Sequence, residues 1–154
     1  MKYQIVPLMI ILLLLSACSG NKEAIKIEDK GMANALFIQK VEDNIAKEEM
    51  TKFVRDKDKI KNVLSMVEGL KVKEMVNENF FREMESQNSY TLGFSEKEKF
   101  EATGEPMPYA FYILEDGTFA FPYDGFNSQH PLRVTKEKHP QLLKKIKKLL
   151  DIDF

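Results

Sequence analysis

Two aromatic-rich runs, Tyr109-Ala110-Phe111-Tyr112-Ile113-Leu114 and Phe119-Ala120-Phe121-Pro122-Tyr123, are separated by Glu115-Asp116-Gly117-Thr118. Asp-Gly between apolar runs is a strong short-range signal for a β-hairpin, because a two-residue type I′ turn needs positive φ at both central positions and these residues tolerate it. Such a turn sets Glu115 opposite Thr118, Leu114 opposite Phe119 and Tyr112 opposite Phe121. Tyr112, Leu114, Phe119 and Phe121 then share one face, and Phe111, Ile113 and Ala120 the other. With both faces apolar, the expectation is a hairpin covered on one side by helices and partly exposed or partner-bound on the other. Pro122 cannot donate to a ladder, which places the second strand at a sheet edge near that point.

The remaining elements follow from periodicity. Ala35 to Val41 is a short apolar, β-branched run that predicts a strand, and Met50 to Val54 predicts a second, with Glu42 to Glu49 as the turn between them. Ile60, Val63, Leu64 and Val67 recur at helical spacing and predict an amphipathic helix from Asp56 to Glu68. Asp56 or Asp58 caps its start, and Gly69-Leu70 forms a left-handed stop. Val72 leads the chain out. Asn77 is expected to cap a shorter helix through Phe80, Phe81 and Met84, ended by Ser86 to Ser89. Tyr90, Leu92 and Phe94 alternate with small residues as in a strand, and the charged stretch from Ser95 to Glu105 reads as a solvated connection closed by Pro106-Met107-Pro108. A last helix starts at Pro140 and carries Leu142, Leu143, Ile146, Leu149 and Leu150 on one face. Lys144, Lys145, Lys147 and Lys148 fill the other, late in the helix where cations favour the dipole. Such a face is normally solvated, and contact with anionic lipid is its functional alternative. The expected fold class is α+β, an antiparallel sheet with an Asp-Gly hairpin packed by an amphipathic helix and a C-terminal helix.

Few residues invite chemistry. The chain has 23 Lys and Arg against 24 Asp and Glu, so a nucleic-acid partner is not indicated. Its 154 residues hold one Cys and two His, which excludes an intrachain disulfide and a Cys-based zinc site. His130 lies in Asp124-Gly125-Phe126-Asn127-Ser128-Gln129-His130-Pro131, where hard ligands occur without the spacing of a metal site, and His139 directly precedes Pro140. Acidic pairs such as Glu48-Glu49 or Glu83 and Glu85 sit in charged surroundings that would not raise a pKa. A Gly-rich phosphate loop, a Gly-x-Ser-x-Gly elbow and a His-x-x-x-His pair are all missing from the sequence. No catalytic residue, metal or cofactor is therefore expected. The 11 Phe and 5 Tyr belong mostly to a core, and Tyr123 and Phe126 are the candidates for a binding surface that meets a partner protein or envelope component.

The N-terminus indicates location. Lys2 precedes an apolar run from Ile5 to Leu15, interrupted by Pro7 and too short for a hydrocarbon core that needs about 20 residues. The run ends at Leu15-Ser16-Ala17-Cys18, which resembles the lipobox of bacterial lipoproteins. The alternative is an ordinary secretory signal cut at Ala17 with Cys18 left as a free thiol, an anomaly in an exported protein. With the lipobox, the order of the Thr51 to Val67 strand-to-helix unit, the Tyr90 strand, the Asp116-Gly117 hairpin and the terminal leucine helix resembles the small membrane lipoproteins common in Gram-positive bacilli. That resemblance implies a diacylglyceryl group on Cys18, cleavage between Ala17 and Cys18, acyl chains of the palmitate kind, and no particular reaction. Two acyl chains hold firmly where one binds only marginally.

The expected organisation is a signal peptide over residues 1–17, the lipidated Cys and a flexible tether over 18–33, and one α+β domain over 34–154. A coil of that length would hold the domain about 20 Å from the bilayer. The expected function is a non-enzymatic binding or accessory module, anchored by lipid to the extracytoplasmic face of the cell membrane. The alternative is an envelope-acting enzyme with a site near Asp124 and His130. Ser19, in place of Asp, removes one inner-membrane retention cue of two-membrane envelopes.

Overall fold

The structure, a computed structural model, describes residues 23–98, 109–122 and 129–154. Strands β1 (Ala35–Glu42) and β2 (Ile45–Val54) form a hairpin around Asp43 and Asn44, whose φ values of 51° and 62° are those of a tight two-residue turn. The second strand thus begins well before Met50, and the expected long turn from Glu42 to Glu49 does not form. Six of those eight residues are polar or charged and Ile45 is exposed, so no hydrophobic alternation marks a strand there. β2 also bulges: pairing jumps from Gln39↔Thr51 to Val41↔Ala46, leaving Lys47 to Met50 opposite Lys40. Bulges of this kind blunt an edge strand against unwanted pairing.

Helix α1 (Lys57–Val67) is the predicted amphipathic helix. The Asp56 carboxylate accepts from the N–H groups of Asp58 and Lys59, both at 3.0 Å, and Ile60, Val63, Leu64 and Val67 are buried. Gly69, at φ +82°, turns the chain out as expected. A four-residue strand that the sequence did not suggest, β3 (Val72–Met75), comes next, then helix α2 (Asn77–Glu85). Asn77 does not cap α2. The cap position is Val76, and the Asn77 side chain instead accepts from the Leu132 N–H at 3.1 Å, a long-range bond invisible to local pattern. Strands β4 (Ser89–Ser95), β5 (Tyr109–Leu114), β6 (Phe119–Phe121) and β7 (Leu132–Thr135) and helix α3 (Pro140–Leu149) complete the described residues.

All seven strands join one antiparallel sheet in the order β2-β1-β4-β5-β6-β7-β3. On one face α1 and α3 bury Leu36, Ile38, Leu92, Phe94, Phe111, Ile113, Phe119 and Phe121. On the other, Phe80, Phe81 and Met84 of α2 close over Tyr112, Leu114, Ala120, Leu132 and Val134. The fold is α+β with helices on both sides, so neither face of the central hairpin is left for a partner. Pro122 does not mark an edge either. β6 lies between β5 and β7, and its ladder ends at Phe121, one residue before the missing donor would matter.

The register of that hairpin differs from the expectation by one residue. Ile113 pairs with Phe119 and Tyr112 with Ala120, while the Leu114 N–H donates to the Thr118 oxygen at 2.8 Å. Among the turn residues only Gly117 has positive φ, at +90°, so the loop is the three-residue Glu115-Asp116-Gly117, with Gly in the left-handed position. A one-residue slip moves a strand's side chains to the opposite faces. Phe119 and Phe121 consequently join Phe111 under α1 and α3, and the small Ala120 lies beneath α2. The turn is clamped from two sides, which explains its geometry. The Glu115 N–H donates to the Asn88 oxygen at 2.9 Å and the Asp116 N–H to Gln87 Oε1 at 3.1 Å, while the Gly117 oxygen accepts from the His139 N–H at 2.7 Å.

The expected tether also needs correction. Ile25, Ile27 and Ala33 are buried in the core. The Ile25 N–H donates to the Leu70 oxygen at 2.9 Å, the Gly69 N–H to the Ile25 oxygen at 2.8 Å, and the Val72 N–H to the Glu23 oxygen at 2.9 Å. From Glu23 onward the chain is part of the domain. Two isolated isoleucines in a polar stretch give no periodicity, yet each fills a site on a face built by distant residues.

Two stability outcomes follow, both measurable by urea unfolding. Ile25→Ala should cost about 2–4 kcal/mol, as for a buried aliphatic side chain, where a free tether would show no change. Gly117→Ala should be the more damaging of two glycine changes, because its Cβ would stand 2.3 Å from the Pro140 nitrogen and 2.5 Å from the His139 carbonyl carbon. Gly69→Ala meets no atom within 4 Å and should cost only the left-handed backbone penalty, about 1–2 kcal/mol.

Candidate functional site

Among the concave regions formed by the described residues, two lie where the N-terminal segment and the helix ends meet the sheet. The smaller, about 90 Å³, is lined by Ile25, Lys26 and Ile27 of the N-terminal segment, by Tyr109, Ala110 and Phe111 of β5, and by Leu64, Phe121, Pro122 and Arg133. Its volume suits a few waters or one small polar group and is well below the few hundred Å³ of a cofactor site.

The larger, about 270 Å³, is lined by Gly69, Leu70, Lys71, Lys136, Glu137 and His139. Its walls are two turns. The left-handed Gly69 ends α1 and delivers Leu70 and Lys71 to the start of β3, and Lys136 to His139 link β7 to α3. The Lys136 N–H donates to the Lys71 oxygen at 3.0 Å, which fixes the two lysines side by side although they lie far apart in sequence. Both lysine side chains are exposed, and among the described residues neither has an ion-pair or hydrogen-bond partner for its ammonium group. His139 is half-buried, with its ring edge-on to Phe119 at 6.4 Å between centroids. The chemistry of this cleft is cationic at its rim and apolar behind. It suits attraction of an anion, and no local pattern in the sequence marks it, because the residues come from two turns that only the sheet brings together.

Other titratable groups serve the scaffold. Burial pushes the Asp116 carboxyl upward, but hydrogen bonds from Lys138 and Thr118 outweigh it and hold the group below its ordinary value. Its Oδ1 accepts from the Thr118 N–H at 2.9 Å, and Lys138 Nζ lies 2.9 Å from Oδ2. Desolvation raises the Tyr112 phenol beneath α2. The expected lysine face of α3 is incomplete. Lys144, Lys145 and Lys148 are exposed, whereas Lys147 turns inward, where Nζ donates to the Tyr90 hydroxyl at 3.0 Å and to the Phe154 main-chain oxygen at 2.7 Å.

Of the residues singled out from the sequence, His130 is exposed, and Glu48, Glu49, Glu83 and Glu85 are exposed as expected of solvated surface. Ala17, Cys18, Tyr123, Asp124 and Phe126 lie outside the described residues. Among the described residues there is no group of three His, Cys, Asp or Glu that could hold a metal, and no helix long and apolar enough to cross a membrane.

Asp116→Ala should destabilise the domain by about 1 kcal/mol at pH 7, the usual net value of one lost hydrogen bond. Because the folded-state pKa is depressed, the charge-dependent part of that stabilisation is present above pH 3.8 and disappears as pH falls through the lower folded-state value. Chemical denaturation of both proteins from pH 7 to pH 2 should show the gap narrowing only in the acid range. Comparison of the chain with family models, with curated protein sequences and with solved structures gives no match.

Proposed function

We propose that the chain is a lipid-anchored extracytoplasmic protein, cut before Cys18, acylated on that thiol and held on the outer face of the cell membrane as a non-enzymatic binding module. The observation that carries this reading is Leu15-Ser16-Ala17-Cys18 directly after a short apolar run, with Cys18 the sole cysteine of the chain. The position of the domain supports it. Glu23, five residues after Cys18 in the sequence, is already bonded into the domain, so the anchor would act on a domain close to the lipid. Tyr123 and Phe126, between β6 and β7, are the side chains assigned to a protein or envelope partner.

Mass spectrometry of the N-terminal peptide from membranes should find diacylglyceryl-modified Cys18 as the first residue, and Cys18→Ala should remove that species and release or strand the precursor. An unmodified Cys18 on a freely secreted wild-type protein sinks the anchor. For the binding role, Tyr123→Ala with Phe126→Ala should fail to complement a deletion strain, while Asp124→Ala with His130→Ala should complement it. The reverse pattern would instead indicate an enzyme.

A further inference from the structure

We infer that the corner carrying Lys71 and Lys136 is the membrane-facing surface of the domain and docks on anionic phospholipid headgroups. The inference rests on the lipid-anchor reading and adds to it an orientation and a lipid class. Its first support is covalent length. Between Cys18 and the first described residue, Glu23, stand only Ser19, Gly20, Asn21 and Lys22. At about 3.3–3.6 Å per residue, those five steps reach at most about 18 Å, and an unstructured chain of that length averages nearer 12 Å.

The second support is where the chain enters the fold. Glu23 accepts from the Val72 N–H at 2.9 Å, and Ala24 bridges to Lys71. The anchor thus pulls on the start of β3, the same corner at which Lys136 is tied to Lys71. The domain cannot turn this corner far from the bilayer without unfastening that pairing.

Charge is the third. Glu68, the acid at the end of α1, is already neutralised by Lys30 at 2.7 Å, and Glu137 is the acid that lines the cleft itself. Lys71 and Lys136, with Lys22 adjacent to Glu23 in the sequence, stand against Glu137 and Glu23, which leaves this end of the chain with a net charge of +1 and two exposed lysines to meet a negative surface potential that decays over about 8 Å at physiological salt. Helix α3, in contrast, begins at this corner with His139 and Pro140 and carries Lys144, Lys145 and Lys148 progressively further along its axis.

Lysine footprinting of the full-length acylated protein in vesicles tests the inference. In vesicles of phosphatidylcholine with about one-third phosphatidylglycerol, Lys71 and Lys136 should be labelled at least threefold more slowly than in phosphatidylcholine alone. Lys144, Lys145 and Lys148 should be labelled equally in both. Acylated protein with the same labelling in both vesicles overturns the headgroup docking and leaves the anchor standing. Protection centred on Lys144, Lys145 and Lys148 overturns it in favour of α3 as the resting face. Slowing by inorganic phosphate in neutral vesicles, without slowing by phosphatidylglycerol, assigns the corner to a soluble anion instead. Protein whose Cys18 carries no lipid overturns the inference together with the reading beneath it, and the N-terminal mass separates that outcome from the others.

Discussion

The fold depends on burying both faces of the hairpin formed by β5 and β6. Every residue from Ala110 to Leu114 and from Phe119 to Phe121 is buried, so side chains on alternate sides must each meet a helical layer. Phe111, Phe119 and Phe121 form a ring cluster with centroids 5.2 to 6.4 Å apart on the side of α1 and α3. Phe80 and Phe81 of α2 pack against Tyr112 on the other, at 5.8 and 6.1 Å. Aromatic pairs at these separations add to the area they bury, and a register error would place large rings where Ala120 now leaves room for α2. The clamped turn at Glu115 to Gly117 is what prevents that slip. Helix α3 starts against it and α2 ends beside it, so one loop aligns both helical layers.

The N-terminal segment couples this scaffold to the proposed location. Strand β3 is short and half exposed, with β7 on one side. On its other side, at its start, Glu23 and Ala24 supply the backbone partners. Ile25 and Ile27 then press into the layer beneath α1, and Lys30 reaches Glu68 at the end of that helix. A pull applied at Cys18 would be carried by these bonds into the core, with little slack chain to absorb it. Short linkers restrict orientation far more than long ones, since the reach of a coil grows only with the square root of its length. Under the lipid-anchor reading, the same segment that completes the fold sets which surface meets the membrane.

Elements with a period were legible. Helix α1 shows its capping Asp56, its apolar stripe and its Gly69 stop, all local signals, and α3 shows a leading proline and a leucine face. Strand β4 shows Tyr90, Leu92 and Phe94 at alternate positions, and all three are buried. The hairpin at Asp43-Asn44 was missed because β2 is an exposed edge strand whose middle is charged and bulged, so no burial pattern marks it. The two-residue geometry assigned to Asp116-Gly117 forms at Asp43-Asn44 instead. Gly117 is held by His139 and Pro140, and Asp116 by Gln87, partners that no window around the turn contains. The cationic cleft was missed for the same reason, as Lys71 and Lys136 become neighbours only through the pairing of β3 with β7.

By itself the sequence determined the class of the domain and its principal helices and central strands, and its residues up to Cys18 motivate the compartment proposed for it. These are encoded locally, in hydrophobic period, turn chemistry and the order of short motifs. The tertiary structure decided the register of the central hairpin, the burial of both its faces, the incorporation of Ile25 and Ile27, and the neighbours of Lys71. Each of these depends on bonds between residues distant in the chain, and no local preference can specify a partner that only the folded sheet supplies.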